Sequence, residues 1–374
     1  MFPVINTIDD VIPHISGDVG IFCNRHADYD VIDYAYVLSE TFDRPERLEC
    51  RDLKFAKDGS LIARPFHKFF NLGERQGLEA VDWSRPHLVL SKLDGSMVHP
   101  CLIRGELVLM TRSGITAQSA QALAHADDGV RRLSAEFIGD GLTCMFEFTS
   151  PENRVVLPYE QSALTLLAAR DNRTGVYLSH GELARRAARH NVRIVDPVMT
   201  DSDMNAFVAK ARTQADIEGY VIAFEDGHRL KLKTDYYALR HRALSGLAFE
   251  KNVLAWVVQD VVDDIVPLLA PRLADRLRDY QTVIESGLSR NCDVVNQFVT
   301  AHSALERRDF ARAVQEKLDK RLQPVAFSIL DGKDGRLVLK RQLESATHSE
   351  SRVEELRDLY GMAWDSRDIE LDIG

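Results

Sequence analysis

The stretch Lys92-Leu93-Asp94-Gly95-Ser96 follows directly on His87-Leu88-Val89-Leu90, a short run typical of a buried strand. This order predicts that Lys92 lies at the end of a strand and that the chain turns immediately after it. A lysine before Asp-Gly also occurs by chance in many proteins, where it is merely solvated. The charged residues that follow further along the chain support a functional role for this lysine.

Those residues come in a fixed order: Glu147 within the apolar run 143–148, Glu218 before the run 219–222, and then Lys231 and Lys233. A carboxylate in an apolar strand is costly unless it meets a cation, a hydroxyl or a metal. Two lysines two residues apart on a strand point to one face, where they repel unless an anion lies between them. Each position also has a plainer interpretation, as an exposed acid or a solvated edge strand.

A lysine attacks phosphorus only after its ammonium loses a proton, which burial and nearby cations favour by lowering the pKa. We expect Arg112, Lys231 and Lys233 to supply that positive field around Lys92. The same cations would hold a triphosphate and neutralise charge in the transition state. Glu218 suits magnesium, which takes few protein oxygens besides phosphates and water. The ordered set therefore favours nucleotidyl transfer through a lysyl-nucleotide.

Composition places the chain among ordinary globular proteins: 374 residues, 45% hydrophobic and 28% charged, which is long enough for two domains. Its longest apolar runs are too short to span a membrane, and its N-terminus has no basic cluster typical of a signal peptide. The five cysteines are scattered without a C-x-x-C, which argues for reduced thiols and against a zinc site. We therefore expect a cytoplasmic protein with no membrane partner.

The net charge of -10 is unusual for a protein that binds nucleic acid only through phosphates. Residues 228–242, however, carry five cations against one anion, a local charge of +4. Since local charge matters more than the total, this strip is compatible with a phosphate site.

Three pairs of strand-like segments flank glycine-containing turns and predict hairpins: 48–55 with 60–64, 96–103 with 107–111, and 220–224 with 229–233. Helical segments are predicted over 118–137, 181–190 and 204–213. This is an α+β pattern built on antiparallel hairpins.

Beyond residue 244 the pattern becomes helical, with apolar residues at helical spacing over 254–268 and helix-rich segments over 270–284, 293–305 and 309–322. The exception is a strand signal over 336–339. We predict a first domain over residues 1–243 and a helical accessory domain over 244–374.

Five motifs resemble those of the covalent nucleotidyltransferase superfamily of polynucleotide ligases and capping enzymes: Lys92-Leu93-Asp94-Gly95, Thr111-Arg112-Ser113-Gly114, Glu147, Glu218-Gly219 and Lys231-x-Lys233. Spacings of 55, 71 and 13 residues separate Lys92, Glu147, Glu218 and Lys231, as expected of one catalytic domain.

A narrower match points to RNA. Residues 48–51, the run 63–74 (Ala-Arg-Pro-Phe-His-Lys-Phe-Phe-Asn-Leu-Gly-Glu) and residues 146–154, with Pro151, Asn153 and Arg154, are similar to the bacteriophage RNA ligase 1 family that repairs broken tRNA. The resemblance is strong over residues 45–243 and weak beyond 250. It implies an ATP-grasp-like nucleotidyltransferase domain of antiparallel sheets with flanking helices, followed by an all-helical C-terminal domain.

The resemblance also implies a reaction. Lys92 would attack the α-phosphate of ATP and carry AMP, which passes to an RNA 5′-phosphate before an RNA 3′-hydroxyl seals the strand. The expected partners are magnesium, tRNA with a broken anticodon loop and an end-healing kinase-phosphatase. The protein would act as a monomer, in the host cytoplasm if of phage origin.

Residue roles carry over by motif. Arg51, Lys68 and Arg112 would contact the triphosphate with support from Phe70, while Gly95 lies in the nucleotide site. Glu147 would contact the ribose or a metal-bound water, Glu218 would hold magnesium, Lys231 and Lys233 would grip the α-phosphate, and Tyr237 would lie against adenine. One departure is Arg112, where the tRNA-repair ligases carry lysine; arginine fits the wider superfamily.

Two alternatives remain open. A DNA ligase or a GTP-using capping enzyme of the same superfamily usually appends a β-barrel after the fifth motif, where this chain is predicted to be helical. A non-catalytic RNA-binding protein with a degenerate ligase fold would be free to lose Lys92, yet every motif residue is retained.

Overall fold

A computed structural model describes residues 2–75, 80–152, 155–200 and 203–365 of the chain. The chain divides into two compact units, one ending at Ala238 and one beginning at Leu239.

The N-terminal unit contains twelve strands among its described residues: β1 (Ile21–Arg25), β2 (Tyr29–Tyr34), β3 (Leu53–Ala56), β4 (Leu61–Ala63), β5 (Phe70–Asn71), β6 (His87–Lys92), β7 (Ser96–Ile103), β8 (Glu106–Met110), β9 (Leu142–Thr149), β10 (Ala163–Asp171), β11 (Gly219–Phe224) and β12 (Arg229–Lys233). They form three four-stranded sheets with the orders β1-β2-β3-β4, β10-β9-β7-β8 and β5-β12-β11-β6. Neighbouring strands are antiparallel, except for β5 beside β12.

The helices that flank these sheets are α1 (Pro45–Glu49), α2 (Ala117–Ala124), α3 (Asp128–Gly139), α4 (His180–Arg189) and α5 (Met204–Arg212). A sixth, α6 (Asp235–Leu247), crosses the division between the units. Strand β9 is buried along its whole length, and Leu133 and Phe137 of α3 and Leu183 of α4 belong to the apolar cluster around it. The predicted α+β class is therefore confirmed.

All three predicted hairpins are present: β7–β8, β11–β12 and β3–β4, the last with a register shift between Lys54 and Phe55. The prediction over 48–55 is wrong at its start, because α1 continues to Glu49. Pro45 occupies the first turn of that helix, where a missing N–H costs nothing, and the buried Glu49 carboxylate pairs with Arg64 and Arg170 at 3.0 and 2.9 Å. The single helix predicted over 118–137 is two helices, because Asp127 caps α3 by accepting from the Val130 N–H at 2.8 Å.

The second unit is all-helical over its described residues, as predicted: α7 (Glu250–Val258), α8 (Val262–Ile265), a 3-10 turn (Val266–Leu268), α9 (Pro271–His302), α10 (Arg307–Lys317), α11 (Gln323–Leu330), α12 (Gly335–Ala346) and α13 (Glu350–Tyr360). The helix predicted over 254–268 is interrupted at Asp260, whose φ of 58° is left-handed. The segments 270–284 and 293–305 join in the 32-residue α9.

The strand predicted over 336–339 is wrong, because these residues belong to helix α12. Asp334 caps α12 by accepting from the Leu337 N–H at 3.0 Å, and Leu339 and Leu343 of that helix are fully buried in the core of the unit. Tertiary packing thus overrides the local strand preference. Throughout the described parts of the chain, no helix combines the length and apolarity needed to cross a bilayer.

Candidate active site

Three motif residues meet at one end of the sheet that contains β6, β11 and β12. Gly219, the first residue of β11, lies opposite Lys92 on one side and Lys233 on the other. Its φ is 141°, and a Cβ there would lie 2.0 Å from the Leu232 carbonyl oxygen, so glycine permits this close pairing. The register therefore brings together residues that are far apart in the chain.

Glu218 lies between two lysines at this end of the sheet. The Lys92 ammonium donates to its Oε2 at 2.8 Å, and the Lys233 ammonium lies 3.1 Å from its Oε1. The glutamate side chain is only 3% exposed, against 21% for Lys92 and 31% for Lys233. Glu218 is thus a buried carboxylate whose negative charge is balanced by a pair of ammoniums.

Glu147 approaches the same lysine from a second sheet. It lies opposite Met97 in the β7–β9 pairing, and its Oε1 accepts from the Gly95 N–H at 3.0 Å. A Cβ on Gly95 would lie 2.3 Å from the Phe148 carbonyl oxygen, so only glycine fits this turn. Burial raises the pKa of Glu147 to about 7, although Lys92 opposes the shift. The carboxyl group is therefore poised between its charged and neutral forms near neutral pH.

These residues border a cavity of about 260 Å³. Its apolar walls include Phe66, Leu90, Met97, Leu167, Val195 and Val221. Its charged lining comprises Arg51, Lys92, Glu147, Arg229, Lys231 and Lys233. The Nη1 of Arg51 is buried without a hydrogen-bond partner among the described residues. An apolar pocket with a cationic wall and an unpaired guanidinium nitrogen suits a flat apolar group that carries phosphates.

Lys231 is a lysine of this cavity whose pKa is strongly lowered. Burial, reinforced by Arg51, Lys68 and Lys92, lowers its pKa to about 7. Its ammonium lies 4.8 Å from the centroid of the Phe69 ring. An anion near Lys231 would relieve this repulsion and restore its proton.

The expectation that neighbouring cations lower the pKa of Lys92 is wrong. Burial does lower it, but the carboxylates of Glu218 and Glu147 outweigh burial and raise the pKa above the ordinary lysine value. The sequence predicted that cations would surround Lys92, whereas its ammonium contacts the Glu218 carboxylate at 2.8 Å. Lys92 is thus held here as an ammonium.

Lys68, Phe70 and Arg112 come together around Tyr34 and do not line the cavity. The Lys68 ammonium lies 5.1 Å from the Tyr34 ring centroid and 5.5 Å from that of Phe70. The Arg112 guanidinium lies 4.6 Å from the Tyr34 centroid, and its Nε contacts Asp33 at 3.0 Å. Tyr34 and Asp33 were not predicted as site residues, since nothing in the local pattern of β2 distinguishes them.

Asp94 is a further residue that sequence reasoning left without a role. Its Oδ2 accepts from the N–H groups of Val156 and Leu157 at 2.8 and 2.6 Å, and its Oδ1 accepts from the Tyr237 hydroxyl at 2.6 Å. Tyr237 is 2% exposed, with the Lys233 ammonium 4.9 Å from its ring centroid, and it does not line the cavity. The structure thus places Tyr237 where its hydroxyl fixes Asp94, and its contact with adenine stays a prediction.

Asn153 and Arg154, which belong to the quoted resemblance, lie outside the described residues. Among the described residues, no three histidine, cysteine, aspartate or glutamate side chains cluster as a metal site. The carboxylates of Glu147 and Glu218, both near Lys92, are the described oxygens predicted to meet a divalent cation. Such a sparse set fits magnesium, for which phosphates and water supply the other oxygens.

Comparison with known proteins gives a consistent result. A sequence profile of the RNA ligase family matches residues 49–237, half of the chain. A protein from Thermovibrio ammonificans named as an RNA ligase is 34% identical over 177 residues, which is 46% of this chain and 47% of that protein. RNA ligase 1 of bacteriophage TS2126 is 32% identical over 219 residues, 55% of each chain. The chain thus spans about half the length of these two relatives.

Among solved structures, an archaeal ATP-dependent RNA ligase aligns over 64% of each chain, with 17% identity and a TM-score of 0.47. Family assignment therefore rests on the sequence matches.

Proposed function

Because the chain belongs to the RNA ligase family, we propose that it joins RNA ends in an ATP-dependent reaction through a covalent lysyl-AMP intermediate. One observation carries the proposal: Lys92 borders a cavity with apolar walls and a cationic lining, and its amine meets a buried carboxylate. This combination can bind a nucleotide and present its α-phosphate to a nitrogen nucleophile.

In the first step the Lys92 ammonium gives its proton to water, and the neutral nitrogen then attacks the α-phosphorus of ATP. The bond to the β-phosphate oxygen breaks, so that pyrophosphate leaves and a phosphoramidate forms. An oxygen of an RNA 5′-phosphate then displaces the lysine, and an RNA 3′-hydroxyl finally attacks that 5′-phosphorus and releases AMP.

Different side chains would contact different parts of ATP. Lys231 and Lys233 would grip the α-phosphate, while Arg51, Lys68 and Arg112 would take the rest of the triphosphate, with Phe70 supporting Lys68. Glu147 would meet the ribose, and Glu218 would hold magnesium, which neutralises phosphate charge when it is bound. Tyr237, which hydrogen bonds Asp94, would fix the turn that carries Lys92.

Nucleotide binding is expected to take up a proton on Lys231. Above pH 7 this side chain is largely neutral in the free protein, and a phosphate beside it raises its pKa. At pH 8 up to one proton should be taken up per ATP bound, and fewer at pH 6, where Lys231 is already charged. Calorimetric titration in buffers of different ionisation enthalpy measures this number.

The matched variant for this titration is Lys231→Met, whose side chain has a similar length but cannot take up a proton. The difference between the two proteins isolates Lys231 from other groups such as Glu147. Equal proton uptake by both proteins at pH 8 would contradict the role given to Lys231.

Substrate class is tested by incubating the protein with labelled ATP or GTP and then with 5′-phosphorylated RNA or DNA. We expect label from ATP and sealing of RNA. Label from GTP and not ATP would favour a capping enzyme, sealing of DNA alone would favour a DNA ligase, and no label from either would favour a non-catalytic RNA-binding protein.

We further propose that residues 1–243 carry the adenylylation chemistry and that the helical residues 244–374 dock the RNA. The resemblance of its motifs to the tRNA-repair ligases leads us to propose tRNA with a broken anticodon loop as the substrate, with an end-healing kinase-phosphatase acting before it. The protein would work as a monomer in the cytoplasm.

A further inference from the structure

Three fully buried polar side chains lie together beneath the predicted triphosphate contacts: Asp52, Lys54 and His99, each 0% exposed. The Lys54 ammonium pairs with the Asp52 carboxylate, and Nε2 of His99 lies 3.3 Å from Oδ1 of the same carboxylate. Burial raises the pKa of Asp52, but Lys54 and His99 together hold it below the ordinary aspartate value. This cluster is separate from the Lys92–Glu218 centre.

The cluster is joined to two residues that the reaction needs. Asp52 directly follows Arg51, and its φ of 86° is a left-handed conformation that non-glycine residues rarely adopt. The Lys54 ammonium also donates to the backbone carbonyl of Arg112 at 3.1 Å. The buried ion pair therefore connects the backbone that presents Arg51 with the turn that presents Arg112.

Lys54 is one of several groups that hold that turn, together with Tyr29, whose hydroxyl accepts from the Ile115 N–H at 3.0 Å. Thr111 and Gly114 exchange backbone hydrogen bonds of 2.9 and 3.0 Å across it, and Arg112 projects from its apex to Asp33. Lys54 reaches the apex from β3, a strand of a different sheet. Its contact with the Arg112 carbonyl thus links the turn that carries Arg112 to the segment that carries Arg51.

We propose that Asp52 and Lys54 are positioning residues that hold Arg51 and Arg112 at the spacing needed to contact the triphosphate. The inference rests on the proposed function. The inference predicts different effects on the two steps of the reaction. The β- and γ-phosphates are present only while AMP is loaded onto Lys92, and they are absent when an RNA adenylate is sealed. Loss of the buried pair should therefore slow loading and spare sealing.

A stabilising role alone does not explain the pair. Replacing a buried ion pair by apolar groups of similar volume is often neutral for stability, whereas removing one partner leaves an uncompensated charge. Two variants separate these effects: Lys54→Met removes one charge, and Asp52→Asn with Lys54→Met removes both. The double variant leaves no buried charge and still lacks the ammonium that holds the Arg112 carbonyl.

Lys57→Met is the matched control. Lys57 follows β3 and pairs with Asp30 at 2.6 Å, so the change also removes a lysine ion pair on the same sheet. Its recorded contacts, with Asp30 and the His26 carbonyl, involve neither Arg51 nor Arg112. We expect this variant to load AMP and seal RNA at rates within about threefold of the unaltered protein.

The experiment measures two rates for each full-length protein. The first is formation of the covalent AMP adduct as a function of ATP concentration. The second is the joining, without ATP, of an RNA that already carries a 5′-adenylate. A displacement of about 1 Å costs roughly 10²-fold in such reactions, so kcat/KM for ATP should fall about 10- to 100-fold in both Lys54 variants. Sealing of the adenylated RNA should change by less than about threefold.

Equal losses in both reactions, in the single and the double variant, would show that the cluster only supports folding and would overturn the inference. So would unchanged loading of AMP in the double variant. If the unaltered protein itself forms no adduct, the proposed function fails, and that failure is seen before any variant is compared.

Discussion

Replacing Lys92 by alanine is expected to abolish the covalent AMP adduct, with a loss on the order of 10⁴-fold or more in its rate of formation. Lys92 ends β6 at the rim of the cavity, where its amine contacts Glu218 at 2.8 Å. We expect no neighbouring lysine to take over, because Lys231 and Lys233 project from another strand, where they are proposed to bind the α-phosphate. The adduct is measured with labelled ATP on denaturing gels.

The same variant should still seal an RNA that carries a preformed 5′-adenylate, since that step needs no lysine nucleophile. This retained reaction shows that the protein is folded. Lys210→Ala, at an exposed position of α5, is the control and should form the adduct normally. An adduct that persists in Lys92→Ala would contradict the assignment of the nucleophile.

Replacing Glu218 by glutamine is expected to slow adduct formation about 10²- to 10³-fold. Removing one partner of a buried ion pair costs about 3–5 kcal/mol, and here the neutral amide leaves Lys92 and Lys233 facing each other without their shared carboxylate. The metal would lose a ligand as well. Rates measured across magnesium concentrations should show a weaker dependence on the metal.

The pH profile adds a second readout for Glu218. This carboxylate raises the pKa of Lys92, so its loss lowers that pKa and moves the pH at which the amine becomes reactive to more acidic values. Glu225→Gln, at an exposed acid in the β11–β12 turn, should leave both rate and profile unaltered. A Glu218→Gln protein with the normal rate and magnesium dependence would remove this residue from the mechanism.

Much of the fold was predictable because its signals are local. The β7–β8 and β11–β12 hairpins are marked by a glycine turn between strand-like segments, and the helical unit by apolar residues at helical spacing. The strand ends at Lys92 and Gly219 were also predictable. Their position opposite each other in the antiparallel pairing was not.

The electrostatics of the site could not be predicted in the same way. The sign of the Lys92 pKa shift depends on a contact with Glu218, 126 residues away in the chain. The role of Asp94 depends on meeting Tyr237, 143 residues away. Such contacts arise from sheet register and helix packing, which no local pattern reveals. Asp52 and Lys54 are neighbours in sequence, but their burial against His99 and Arg112 depends on the same long-range packing.

The most direct test of the central claim is a chase of the isolated adduct. The protein is loaded with labelled ATP, freed of nucleotide and then given 5′-phosphorylated RNA without ATP. We expect the label to map to Lys92, to move to the RNA 5′ end and to leave as AMP while the strand is sealed. Label on another residue, or label that never passes to RNA, would contradict a lysyl-AMP RNA ligase.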